Sequence, residues 1–264
     1  MALIKVLAVG DVVGEAAVSY LSENLRKHAS SIGADIVIVN GENAAPGNGI
    51  DPNTAEALFA AGADVITTGN HVWRKNSIKS YLDENPRIIR PANYPSQSPG
   101  SGFTTVTAKG YRLLVINILG TVYMEPLSCP FEAAQKILEY EDKKYDLAVI
   151  DFHAEATSEK AALAHYFDSL SPSKRVAAVF GTHTHVQTSD ARILPNGTAF
   201  ITDIGMTGPD HSILGINPPD IINKLKNKMP AKFEPAPGKI TAHTATLTLN
   251  TETSRAVNVE YGEF

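Results

Sequence analysis

The chain has 264 residues, 43% of them hydrophobic, with 23 Lys and Arg against 28 Asp and Glu for a formal charge of −5. This is ordinary globular composition and excludes collagen, coiled coil and wholesale disorder. The length predicts one large domain over 1–264, burying roughly three quarters of its unfolded surface. The acidic balance argues against a duplex nucleic acid partner, which needs a basic face. One cysteine, Cys129, leaves no intrachain disulfide and fits a reducing compartment.

The apolar run at residues 3–9 reads as a strand ending at Gly10-Asp11. It is interrupted by Lys5 and lacks the basic start, sustained apolar stretch and cleavage site of a signal peptide. No run approaches the roughly 20 apolar residues that span a bilayer. Both observations predict no membrane partner and a cytoplasmic location. Residues 15–30 carry Ala17, Tyr20, Leu21 and Leu25 at helical spacing. Residues 36–39 form a second strand, ending at Asn40-Gly41. Pro52 opens an Ala-rich helix that closes near Gly62. A third strand at 65–68 ends at Gly69-Asn70-His71. Short, wholly apolar strands separated by helices imply a partly parallel sheet covered on both faces.

Residues 86–103 are rich in Pro, Ser, Gly and Asn and read as a long loop. A hairpin around Lys109-Gly110 follows, then a helix over 131–144. A strand at 147–150 ends at Asp151-Phe152-His153, and a helix runs from 158 to about 170. A strand at 176–180 ends at Gly181-Thr182-His183. Residues 198–203 and 240–249 alternate enough to be strands.

Five of these strands end in a short polar turn carrying a possible metal ligand: Asp11, then Glu42 with Asn43, Asn70 with His71, His153, and His183 with His185. In open α/β sheets, ligands bind outside the carboxyl ends of strands, so the pattern predicts one ligand-bearing sheet edge. Imidazoles, carboxylates and amides without thiolate suit Mn, Fe or Zn. The set exceeds the needs of one ion, and Glu42 can offer one oxygen to each of two. His183 and His185 lie at i and i+2, which on an extended turn point the same way.

Gly10-Asp11, Gly69-Asn70-His71 and Gly181-Thr182-His183-Thr184-His185 resemble the blocks of the calcineurin-like metallophosphoesterases. Two departures, Val12-Val13 after Asp11 and Gly41-Glu42-Asn43 in the second block, are similar to a YmdB-like branch of bacterial phosphodiesterases. The likeness runs nearly end to end, through GDVVG at 10–14, NGENAAPGNG at 40–49, TGNHVW at 68–73 and RPANYP at 90–95. It continues with DFHAEATSEK at 151–160, GTHTHVQTSDARILPNGTAFITDIGMTGP at 181–209 and ILG at 213–215.

That resemblance implies an α/β fold, a four-layer α-β-β-α sandwich with two central mixed sheets. It implies two metal ions, Fe or Mn foremost and Zn compatible, bridged by Glu42. Asp11, Asn43 and His185 would complete one ion's shell, and Asn70, His153 and His183 the other's. His71 would be the catalytic acid. The implied activity is metal-dependent hydrolysis of small phosphodiesters, chiefly 2′,3′-cyclic nucleotides, with a regulatory role and a homodimeric or homotetrameric assembly. A bridging hydroxide of pKa near 7 would attack phosphorus in line, and His71 would protonate the leaving oxygen. Two divalent ions against two carboxylates and a hydroxide leave about +1 locally, so the net acidity does not oppose an anionic substrate.

Each assignment competes with a structural reading. Asp11 can cap a helix, Asn43 and Asn70 can form turns, and His153, His183 and His185 can be buried structural residues. Arg74, Lys75 and Arg90 are candidates for phosphate, Trp73 and Tyr94 for stacking on a base, and His211 for the substrate. His28, His165 and His243 are assigned to surface or core. Two other functions share the motifs: a phosphomonoesterase such as a nucleotidase, and a non-catalytic regulatory metal-binding protein.

Overall fold

A computed structural model describes residues 2–170 and 176–264. Strands β1 (Leu3–Val9) and β2 (Asp11–Val12) precede helix α1 (Gly14–Ile32). Next come β3 (Ile36–Asn40), α2 (Pro52–Ala61), β4 (Val65–Thr67), α3 (Ile78–Glu84) and β5 (Ile88–Ile89). The hairpin β6 (Phe103–Ala108) and β7 (Tyr111–Leu119) leads into α4 (Pro130–Tyr140), β8 (Leu147–His153), α5 (Thr157–Ser169) and β9 (Ala178–Thr182). The last third contains β10 (Arg192–Ile193), β11 (Ala199–Ile201), β12 (Met206–Pro209), α6 (Pro218–Asn227), β13 (Ile240–Asn250) and β14 (Arg255–Glu263).

The strands form two sheets. One runs β2-β12-β13-β1-β3-β4-β5 with β14 on β13, and the other runs β10-β11-β9-β8-β7-β6. Both are mixed. β1, β3, β4 and β5 are parallel neighbours while β13 is antiparallel to β1. β7, β8, β9 and β11 are parallel while β6 and β10 close the edges antiparallel.

The period-2 alternation of side chains sorts each strand's apolar residues between two faces. From β1, Leu7 and Val9 pack with Leu21, Leu25, Leu58 and Leu82 of α1, α2 and α3. The intervening Ile4, Val6 and Ala8 join Val115, Leu147, Val149 and Phe180 of the other sheet. On that sheet's far face, Leu114, Ile116 and Ile150 pack with Leu138 of α4 and with Leu163 and Phe167 of α5. The order is therefore α-β-β-α. Both faces of each sheet are covered, which is why β3 and β8 are buried at every residue and read as continuous apolar runs.

Local signals set the helix ends. Asp51 caps α2 by accepting from the Thr54 amide at 2.9 Å, with Pro52 in the first turn. α1 stops at Gly33, whose left-handed φ of 67° returns its amide to the carbonyls of Ala29 and Ser30.

The predicted loop at 86–103 contains the edge strand β5, and it is tied down by Arg90, whose guanidinium donates to the carbonyls of Pro91, Ser98 and Pro99. α3, α6, β2, β10, β12 and β14 are additions to the elements expected from sequence. β14 is legible only as a pairing partner of β13, because its residues are mostly exposed and polar.

Gly181 near the end of β9 lies so close to the neighbouring chain that a Cβ there would meet the Thr202 carbonyl oxygen at 1.8 Å. Gly181→Ala should cost about 1–3 kcal/mol of stability, as overpacking of a rigid backbone contact does. Thermal unfolding of the variant checks this, and an unchanged melting temperature would contradict it.

Candidate active site

β1, β3 and β4 of one sheet and β8 and β9 of the other end on the same side of the molecule. Their carboxyl ends deliver every site residue predicted from sequence to one place. The site thus lies where two sheets meet rather than along one sheet edge. Its two halves come from separate stretches of chain, residues 11–71 and 153–185.

The turn after β3 is set by its own last residue. The Asn40 side-chain oxygen accepts from the Glu42 amide at 3.0 Å, folding Glu42 inward. Glu42 Oε1 accepts from the His71 amide at 2.6 Å and lies 3.0 Å from His71 Nδ1. That same nitrogen is 2.8 Å from Asn43 Oδ1, and Asn43 Nδ2 is 3.1 Å from His185 Nε2. His153 Nε2 lies 3.1 Å from both Asn70 Oδ1 and His183 Nδ1, and 3.7 Å from Glu42 Oε1. Asp11 Oδ1 is 3.7 Å from His185 Nε2 and 3.8 Å from His153 Nδ1. Gly69 permits the approach of the third turn, because a Cβ there would sit 2.3 Å from the His153 ring.

The segment carrying His183 and His185 is not the extended turn that their spacing suggests. Both histidines have left-handed backbone, with φ of 101° and 63°. Such conformations are costly for a side chain bearing a Cβ and persist only where the surroundings enforce them. Asp203 supplies the enforcement. Its Oδ2 accepts from the Thr184 amide at 3.1 Å, from the Thr184 hydroxyl at 2.8 Å and from Lys160 Nζ at 2.7 Å. Lys160 and Asp203 are both fully buried, so this charge pair anchors the turn out of reach of solvent.

Asp11, Glu42 and His153 are also out of contact with water. Burial pushes the Asp11 carboxyl well above its usual range, and the nearby Asp203 charge adds to the shift. Glu42 is raised by burial, against the opposing pull of His71. The imidazoles move the other way. Burial holds His153 well below its ordinary value, lowers His183, and brings His185 down to about 4. The site therefore gathers neutral imidazoles around carboxylates that are costly to ionise where they stand. Asp11 Oδ1 and Glu42 Oε2 are buried and have no hydrogen-bond partner. Among the described residues no three or more His, Cys, Asp or Glu are arranged as a ready-made metal cluster; the donors hold one another in pairs instead.

Several weighed residues are spent elsewhere. Lys75 donates to the Pro46 carbonyl, and Trp73 packs edge-on against Tyr94, whose hydroxyl reaches Glu125. Arg74, His165 and His211 are exposed, and His28 stacks on Phe264. Sequence reasoning missed Glu155, whose Oε2 lies 3.1 Å from His183 Nε2. It also missed Asn40, Asp151, Thr182, Lys160 and Asp203. For Asn40, Asp151 and Thr182 the available signal was a polar residue inside or closing an otherwise apolar buried strand; Glu155 in the connection before α5 and Lys160 in α5 carry no such mark.

His185 has a proton-linked consequence. With its pKa at about 4 in the fold and 6.5 ordinarily, the unfolded chain takes up a proton between those values and the folded chain does not. Stability from this group is thus lost as pH falls from about 6.5 to about 4. Asp151, raised to about 6 by burial, works in the opposite direction over the same range. Comparison with His185→Gln isolates the histidine. Chelator-treated wild type should lose up to about 3 kcal/mol more than the variant on acidification, read by denaturant unfolding at several pH values.

The family pattern of YmdB-like proteins matches residues 7–261. A 2′,3′-cyclic-nucleotide 2′-phosphodiesterase of Bacillus subtilis (strain 168) is 44% identical over 256 residues, covering 97% of this chain and 95% of that protein. Crystal structures give the same likeness. A hypothetical protein from Thermus thermophilus superposes with a TM-score of 0.90 at 39% identity, over 99% of both chains. A novel phosphatase from Mycoplasma pneumoniae gives 0.91 at 32% identity, over all of this chain and 94% of that one. Matched along nearly its whole length in both sequence and fold, the chain belongs to the YmdB-like protein family.

Proposed function

We propose that the protein is a phosphodiesterase that hydrolyses 2′,3′-cyclic nucleotides at a two-metal centre. The observation that carries the reading is the pair of buried carboxylate oxygens, Asp11 Oδ1 and Glu42 Oε2, left without partners among neutral imidazoles. Buried polar atoms are normally satisfied, and divalent cations would satisfy these. The similarity to the Bacillus subtilis 2′,3′-cyclic-nucleotide 2′-phosphodiesterase supports the substrate class.

In this reading Asp11, Asn43 and His185 would hold one ion and Asn70, His153 and His183 the other, and Glu42 would serve both. The mixed nitrogen and oxygen donors suit Fe or Mn, with Zn compatible. Two such ions, when bound, supply Lewis-acid polarisation of the phosphoryl oxygens and a water acidic enough to act as nucleophile near neutral pH.

The rest belongs to the chain's own side chains. His71 turns Nδ1 toward Glu42 and Asn43, and its side chain is partly exposed, so Nε2 is not the atom engaged by either. With Nδ1–H directed at those two acceptors, Nε2 carries a proton only in the imidazolium form of the ring. In this reading that cation gives its Nε2 proton to the departing ribose oxygen, a poor leaving group unprotonated, and remains as the neutral Nδ1–H imidazole. Of the cations weighed for phosphate, Arg74 alone is exposed and uncommitted among the described contacts, and this scarcity favours a diester over a monoester dianion. Arg90 is committed to three carbonyls, Lys75 to Pro46 and Lys160 to Asp203, so the added charge of a monoester would meet no free guanidinium or ammonium from these residues.

The assay is turnover of 2′,3′-cyclic AMP against 5′-AMP, after stripping metal and reloading with Mn²⁺ or Fe²⁺. The cyclic diester should be cleaved and the monoester spared, and the reverse order would make the protein a nucleotidase. Glu42→Gln should lower turnover by about 10²-fold or more, the scale of losing a central electrostatic stabiliser; unchanged turnover rejects its place between the ions. His71→Ala should lower the rate by about 10²–10⁴-fold with metal content unchanged by elemental analysis. Lost metal would instead make His71 a ligand.

A further inference from the structure

Beneath the site, four polar side chains tie the two sheets together. Asn40 and Thr67 close β3 and β4 of one sheet, while Asp151 and Thr182 stand near or at the ends of β8 and β9 of the other. All four are buried. Asp151 Oδ1 accepts from the Thr182 hydroxyl at 2.7 Å. Asp151 Oδ2 accepts from the Thr67 hydroxyl and, at 3.1 Å, from Asn40 Nδ2. Asn40 Nδ2 also reaches Thr182 Oγ1 at 3.3 Å, and the same Oγ1 lies 2.9 Å from His153 Nδ1.

Counting protons decides what these contacts mean. A threonine hydroxyl has one proton to give and two lone pairs to offer. The Thr182 proton points at the Asp151 carboxylate, so toward His153 the oxygen can only accept. His153 Nδ1 must therefore carry the ring proton. Nε2 is left with a bare lone pair that can accept from His183 Nδ1–H at 3.1 Å. The Asn70 amide oxygen, also 3.1 Å away, can only accept, so it and Nε2 face each other as unpaired acceptors, an arrangement that a cation between them would relieve. The other branch runs through Asn40, whose nitrogen is held by Asp151 and whose oxygen receives the Glu42 amide.

We propose that Asp151, acting through Thr182, is the positioning residue that locks His153 in the Nδ1–H tautomer with its ring plane fixed toward the site. The carboxylate orients the hydroxyl, and the hydroxyl orients the imidazole. Asp151 touches no reacting atom in this scheme. Its value is that Nε2 is presented bare, without a proton to be displaced and without a ring rotation to be ordered. For the catalytic consequence, the inference rests on the phosphodiesterase reading above; for the tautomer it rests on the hydrogen bonds alone.

Three substitutions separate positioning from simple stabilisation. Thr182→Val keeps the shape and removes the relay hydroxyl, Thr182→Ser keeps the hydroxyl, and Thr67→Val removes a different donor to Asp151 without touching His153. The first readout is the ¹⁵N shifts of the His153 ring nitrogens in metal-free protein near neutral pH. Wild type, Thr182→Ser and Thr67→Val should show protonated Nδ1 and bare Nε2, while Thr182→Val should show a mixture or the opposite tautomer. The second readout is turnover of 2′,3′-cyclic AMP. Thr182→Val should lose about 10–100-fold in kcat, the usual cost of removing a ligand's orienting partner, with KM little changed. Thr67→Val should lower the melting temperature yet keep kcat near wild type.

An unchanged His153 tautomer in Thr182→Val overturns the proposal, as does an equal kcat loss in Thr67→Val at matched loss of stability. If Thr182→Val does not fold, Asp151→Asn serves. Its amide can donate to Thr182, turn the hydroxyl toward His153 and release the Nε2–H tautomer. Failure of wild type to cleave any diester would refute the functional reading while leaving the tautomer measurement to decide this one.

Discussion

The fold has to keep two carboxylates, Asp11 and Glu42, entirely out of water. Among the described residues neither forms an ion pair with Lys or Arg; histidines surround them instead. Burying a carboxylate is costly unless it is paired or bound to a cation, and both raised carboxyl pKa values express that cost. Burial lowers the pKa of the nearby His153, His183 and His185, so these rings do not repay it as cations. What they can offer is lone pairs. The proposed metal centre would turn one unfavourable arrangement, carboxylates each with one unpartnered oxygen beside imidazole lone pairs, into a complementary one.

The cost is tolerated because the surrounding framework is rigid and apolar. Three layers of buried aliphatic contact hold the two sheets and their outer helices. A small polar hub around Asp151 then fixes the sheets at the height of the site. A second anchor, Lys160 with Asp203, holds the turn on which His183 and His185 adopt left-handed backbone. Strain of this kind is commonly on the order of 1–3 kcal/mol per residue, so the buried pair below the turn is matched to a real demand. Stability and chemistry meet in these anchors. Each is a buried charge held by hydrogen bonds, and each carries a site residue on its far side.

Much of this was legible in the residues themselves. The apolar runs at β1, β3, β4, β8 and β9 mark strands buried on both faces, and the polar residues just past each run mark the edge where chemistry collects. Glu42, Asn70 and His153 could be named from that pattern because a strand's end is fixed by where its apolar run stops. The edge strand β14 and helix α6 escaped it for the converse reason: their residues are largely exposed, so no burial pattern marks them.

What the chain order could not settle was distance. That β3 and β4 belong to one sheet and β8 and β9 to the other follows from pairing between strands far apart in sequence, and no local propensity encodes it. Asn40 and Asp151, 111 residues apart, meet only because the sheets stack there. The backbone of His183 and His185 is likewise decided from outside, by Asp203 on a later segment. The sequence by itself determined which residue types stand at the strand ends, since hydrophobic periodicity is a local property. Their mutual approach, orientation and protonation were decided by tertiary structure, since burial and hydrogen-bond partners are supplied by the rest of the chain.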